Sequence, residues 1–352
     1  MAAPGTVSAL PPFTGVSLVS QGRLDPFLAL VLLLSAALYL YGVYRLRLRG
    51  DRWPVGRTLL FLVPGLGSVV LVTMSGVGTY DDTLLSAHMI QHMVLGMVAP
   101  IFLALGAPVT LALRMLPARA RRVLVRFLHS RVARVVAFPL VAYGLFVATP
   151  FVLYFTGLYR LTLQHAWLHE LVHLHFMVVG CIFFWPLLGL DPLPGRWPYP
   201  ARALLMLLST PFHAVLGLTI MQSTDLIAGD WYPNLHLSWA DPHADQVLAG
   251  GILWAGGEVV SVTMLAVLVV QWMRDSDREA RRVDRRLELD RARVRAAAAA
   301  PGAATPAAAS PEAAATTGAP APAADDDVWE VPWWQTQGPV RSAGSDERES
   351  SP

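Results

Sequence analysis

The chain contains no lysine: all 27 of its basic residues are arginine. That excludes a retinal protein among seven-helix possibilities, because a Schiff base needs a lysine amine. The single cysteine, Cys181, excludes an intrachain disulfide framework. Charged residues are scarce at 15% of 352, against about 25% in a soluble domain. Net charge is only +2, too small to argue a nucleic-acid partner. The first 22 residues carry Pro4, Pro11 and Pro12 and no basic n-region, so they do not read as a cleaved signal peptide.

Apolar residues fill the deficit, at 54% of the chain with a mean hydropathy of +0.47. Apolar runs near ~20 residues mark membrane spans, and seven are legible: 26–46, 58–77, 83–105, 134–156, 163–188, 200–222 and 245–272. Several are broken by Pro or Gly, which bundled membrane helices tolerate. The expected fold is all-α, a polytopic seven-transmembrane-helix bundle in contact with the lipid bilayer.

Arginine sorts the connections. The first carries Arg45, Arg47, Arg49, Arg52 and Arg57; the third, 114–134, carries seven arginines; the fifth holds Arg196 and Arg202. The segment after the last span opens "RDSDREARRVDRR". "SGVGTYDD" and 223–244 have no arginine, and 157–163 has one, Arg160. The positive-inside rule then puts the N-terminus outside and the C-terminus in the cytoplasm. The domains read as an extracytoplasmic segment 1–25, a membrane domain 26–272, a charged helix extension 273–295, and a disordered tail 296–352, Ala/Pro-rich and then acidic. The tail's "VWEVPWW", 328–334, reads as an incidental aromatic cluster.

Ligand-type residues inside spans are costly and point to function. "HMIQHMVLGM" places His88 and His92 one helical turn apart, with Met89, Met93 and Met97 on a second stripe. "QHAWLHELVHLHF" places His165, His169 and His173 on one drifting face, with His175 pointing away towards a neighbouring helix. His213 lies in the sixth span behind Pro211, and Glu258 lies deep in the seventh. With the arginine-derived topology, His88, His92, His169, His173 and His213 all fall in the outer third of the bilayer. His236 and His243 lie in the loop above them. The reading is an externally facing transition-metal site of His88, His92, His165, His169, His173 and His213. Met89, Met93, Met221 and Glu258 are accessory candidates. Imidazole suits Cu, Zn, Fe and Ni, and thioether beside it favours Cu(I).

His169-Glu170-Leu171-Val172-His173 also matches the H-E-x-x-H zinc protease pattern. That chemistry needs a third ligand. "LGLDP" offers Asp191, but ~18 helical residues beyond His173 put it ~27 Å away. Asp191 instead reads as a turn residue before Pro192, so no enzyme activity is expected.

"HMIQHMVLGMVAPIFLALGAPVTLALR", "FFWPLLGLDPLP", "PFHAVLGLTIM" and "GGILWAGGE" resemble the multi-spanning CtaG family of bacterial cytochrome c oxidase assembly proteins, over residues 24–272. The single-span copper chaperone that shares the name is a different protein. The resemblance implies a bacterial plasma-membrane protein that works with cytochrome c oxidase subunits and delivers copper to them. The positions it matches are His88, His92, the stripe of the fifth span and His213; Glu170 is outside the family's pattern. The alternatives are a haem-binding protein of b-type cytochrome kind and a metal- or proton-coupled transporter using Glu258 and His213.

Overall fold

The computed structural model describes residues 10–192 and 197–299, and among them there are helices and no strand. Residues 1–9, Arg196 and the tail beyond residue 299, with its aromatic patch, lie outside the described residues. The principal helices are α1 (Pro26–Leu48), α2 (Val55–Met74), α3 (Leu85–Met115), α4 (Pro139–Phe155), α5 (Leu158–Gln164), α6 (Ala166–Leu188), α7 (Tyr199–Gln222) and α8 (Pro242–Ala299). Six are long and apolar enough to cross a membrane; α4 and α5, bent by 71° across a short break, make a seventh if taken as one span. Leucine and valine side chains such as Leu33, Leu71, Leu174, Leu204 and Val259 are exposed on these helices, a surface that belongs in lipid. The chain is a multi-pass membrane protein.

Lipid gives apolar helices no hydrophobic reason to associate, so close packing must hold them. Small residues make it possible. A Cβ on Gly180 of α6 would stand 2.2 Å from the Gly96 carbonyl oxygen of α3. A Cβ on Gly217 of α7 would stand 2.6 Å from the Gly250 carbonyl oxygen of α8. Between these crossings Phe146 of α4 stacks on Phe183 of α6, with ring centroids 4.3 Å apart.

Two helices widen locally into π-turns, at Phe61–Leu66 and Val94–Val98. The first contains Pro64, which lacks an N–H to donate. The second begins two residues after His92 and holds Gly96; such bulges often accompany functional sites. α3 also breaks at Gly106–Ala107, where Ala107 is left-handed (φ 48°). Asp191 recaps it, accepting from Thr110 N (2.7 Å), Thr110 Oγ1 (2.5 Å) and Trp185 Nε1 (2.7 Å). It is therefore an inter-helix cap as well as a residue before Pro192. Arg202, expected as a loop charge, is buried on α7 and donates to the carbonyls of Trp197 and Leu187.

One end of the bundle gathers three segments. Trp239 Nε1 donates to Leu10 O and Trp231 Nε1 to Asp82 O. Tyr80 Oη donates to Pro11 O and its ring packs between Phe13 and Trp239. The N-terminal segment, the Asp81–Thr83 turn and the 223–241 loop thus converge where α3 and α6 begin. The compact unit runs to Val283; beyond it the described part of the second unit is the arginine- and acid-rich end of α8, laced by pairs such as Arg293–Asp290 (3.4 Å).

Candidate metal centre

α3 and α6 both start at this end, and each carries histidine four residues apart, on one face of its helix. Their crossing at Gly96 and Gly180 brings those faces together. His88, His169 and His173 each offer a ligand atom within 4.8 Å of the other two. Ring centroids stand 5.6 Å apart for His88–His169, 6.1 Å for His88–His173 and 4.4 Å for His169–His173.

His88 is 1% exposed, and neither of its ring nitrogens has a hydrogen-bond partner. His173 Nε2 is likewise buried and unpartnered. Leaving such groups unsatisfied costs about 1–3 kcal/mol each. A bound cation would engage them at once, so the residues present fit a metal.

His169 is held differently. Its Nε2–H donates to Asp81 Oδ2 at 3.0 Å, which leaves Nδ1 with its lone pair, a form in which imidazole ligates a metal. Asp81 also stands 3.8 Å from His173 Nε2, and Glu170 Oε2 stands 3.8 Å from His173 Nδ1. Glu170, outside the pattern the resemblance implies, thus contacts the histidine face at its next turn. Beside Asp81, burial and the Asp81 charge push the Asp82 carboxyl up to about 6.

The remaining candidates separate. His92 sits one turn deeper, hydrogen-bonded through Nδ1 to Tyr154 Oη at 2.9 Å and stacked on Phe176 at 4.0 Å. His213 is buried against Phe146 and Gly257. His165 leaves the stripe: it is exposed and extended (φ −128°, ψ 104°) in the break before α6. The physical reason is that α6 begins only at Ala166, after a separate α5. His175 turns away and bonds Thr149 Oγ1 across to α4 at 3.1 Å. His236 and His243 are exposed.

Met89 and Met93 lie in the main core, and the end of Met93 faces Gly256. Met221 packs on Gly250, and Glu258 is half-buried one residue after Gly257. The sequence reading missed Asp81 and the tyrosines. Tyr159 lies 4.9 Å from His88 by ring centroid, and its hydroxyl meets that of Tyr232 at 2.6 Å. Asp81 carried one usable signal, an acid just before the third span at the depth expected for His169.

Fold and site together define a multi-pass, all-α membrane protein with a buried histidine triad at one end of its bundle. Residues 37–275 match the family described as cytochrome c oxidase caa3 assembly factor (Caa3_CtaG), and the chain belongs to that family. It is similar to uncharacterized proteins of Mycobacterium bovis and Mycobacterium tuberculosis, at 39% identity over 289 residues, covering 80% of this chain and 44% of each relative. It is also similar to an uncharacterized protein of Mycobacterium leprae, at 38% identity over 271 residues, covering 75% of this chain and 41% of the relative. The chain thus spans less than half the length of these relatives. No solved structure matches it.

Proposed function

We propose that this protein is an assembly factor for cytochrome c oxidase that holds copper in the His88–His169–His173 triad, at the outer face of the bacterial plasma membrane, and passes it to an oxidase subunit. The family supports the assembly role. The observation that carries the metal role is His88, buried with both nitrogens unpartnered and facing two further imidazoles. Copper is cargo here, and no reaction is catalysed. Three imidazoles with a carboxylate nearby accept copper in either oxidation state. The preference for Cu(I) rested on thioethers, and Met93 is turned towards α8.

Release matters as much as binding. Neutral imidazoles hold copper without the charge neutralisation a thiolate would add, and the triad lies only about one or two turns from the end of the bundle. A bis-histidine haem is a poorer fit. Two axial imidazoles need a clear flat slot between them, and here the third imidazole is within 4.8 Å of both.

The test is complementation of a strain lacking the protein, with His88→Ala and His169→Ala compared with the parent chain. The expected result is normal protein level with oxidase that is assembled poorly and lacks copper. Normal oxidase copper in both variants would sink the proposal.

A further inference from the structure

A cavity of about 440 Å³ adjoins the triad at the same end of the bundle. Its walls come from the N-terminal segment (Arg23–Pro26), Thr73 and Thr79, the Asp81–Asp82 turn, and the first turns of α6. Asp25, Asp81, Asp82 and Glu170 all line it, with Arg23 as the one arginine in the lining. Asp25 is occupied in capping α1, accepting from Phe27 N and Leu28 N at 2.8 and 3.0 Å. Asp81 is occupied in holding His169. Glu170 stands 3.8 Å from His173 Nδ1, with its side chain 66% exposed.

An acidic hollow alone would mean little. Two further observations tie this one to a cation. His169 belongs to both the cavity lining and the triad, and Asp81, also in the lining, accepts its hydrogen bond, so the hollow abuts the first imidazole directly. Behind His169 stands His88, buried and with both nitrogens unpartnered.

We propose that this cavity is a second, weaker cation site from which the triad is loaded. Its carboxylates collect a hydrated transition-metal cation, and His169, common to both places, passes the ion inward to His88 and His173. No electron or proton need move: water and carboxylate oxygens on the ion are exchanged for imidazole nitrogens. Carboxylate oxygen holds borderline cations such as copper less firmly than imidazole does, so the exchange runs inward. Uncompensated negative charge in a concave wall also raises the local cation concentration, an effect that salt screens. This inference rests on the metal-holding reading of the triad.

The experiment is stopped-flow quenching of tryptophan fluorescence by aqueous Cu(II), on the purified full chain in detergent, paired with equilibrium titration. The variants are Asp82→Asn, Asp82→Asn with Glu170→Gln, and His88→Ala. In Asp82→Asn, loading should slow by about 5-fold and become less salt-dependent, with equilibrium affinity within about 3-fold of the parent. The double variant should load more slowly still and also lose some affinity, because Glu170 stands against His173. His88→Ala should keep a fast, weak, salt-sensitive phase and lose tight binding. Unchanged rate and salt dependence in Asp82→Asn would overturn this inference while leaving the triad standing. So would an affinity loss in Asp82→Asn as large as its rate loss, since that carboxylate would then be a ligand. A parent chain that binds no copper would overturn the triad and this inference together.

Discussion

His88 sits in a dry place with two ring nitrogens and nothing to bond them. In metal-free protein, His88→Leu removes that cost while keeping the volume, so its melting temperature should equal or exceed that of the parent. The stabilisation that copper gives the parent should vanish in the same variant; a metal-free His88→Leu that melts well below the parent would contradict this. Asp81 acts through His169. Asp81→Asn should lower copper affinity by about 10–100-fold while the three imidazoles remain, and equilibrium competition with a chromophoric chelator would read it. Asp82 gives a pH signature. Its carboxyl is raised to about 6 in the fold from an ordinary value of 3.8, so the folded state binds more protons than the unfolded state between those values, and its contribution to stability falls as pH rises from about 4 to 6. Asp82→Asn should therefore stabilise metal-free protein by about 1–2 kcal/mol at pH 7.5, after allowance for partial solvent contact. The gain should disappear near pH 4, and melting curves at the two pH values decide it. At this scale the histidines were legible because a helix repeats in 3.6 residues and the H-x-x-x-H spacing survives without a structure. Asp81, Tyr154 and Tyr159 were not, because their contacts depend on how separate elements meet.

Helices α3 and α6 carry the triad, and the crossing at Gly96 and Gly180 sets how closely they approach. A Cβ at Gly180 would also meet Pro100 Cγ at 2.7 Å, so backbone must move to admit one. Gly180→Val should lower melting temperature and copper affinity together, whereas Gly144→Ala, where a Cβ meets nothing within 4 Å, should change neither. A Gly180→Val protein that keeps parental affinity would show that the crossing does not set the site. The apolar runs located these helices well, since length and hydropathy are local properties. The fourth span was less legible: read as 134–156, it is α4 (Pro139–Phe155) followed by a separate α5. A continuous apolar run cannot report a 71° bend. A second break, between α5 and α6, removed His165 from a stripe that spacing alone had extended through it.

For the whole molecule, the proposal takes the triad end to lie outside the cell, as the positive-inside rule expects from the arginines, and side chains can test that. In a Cys181→Ser background, Asn234→Cys sits in the exposed loop at the triad end and Arg121→Cys on the exposed helix Ala118–Leu128. A membrane-impermeant maleimide should label Asn234→Cys in intact cells and Arg121→Cys only after permeabilisation; the reverse pattern would place the triad in the cytoplasm and end the proposal of outward delivery. The convergence of the N-terminal segment, the Asp81 turn and the 223–241 loop over the triad was not legible, being a matter of tertiary hydrogen bonds such as Trp231 to Asp82. The most direct test of the central claim is anaerobic equilibrium titration of the purified full chain with copper, alongside His88→Ala, His169→Ala and His173→Ala. The expected result is about one tightly held copper per parent chain, lost in each variant, with X-ray absorption showing nitrogen donors. A parent chain that holds no copper, or three variants that hold it as tightly as the parent, would contradict it.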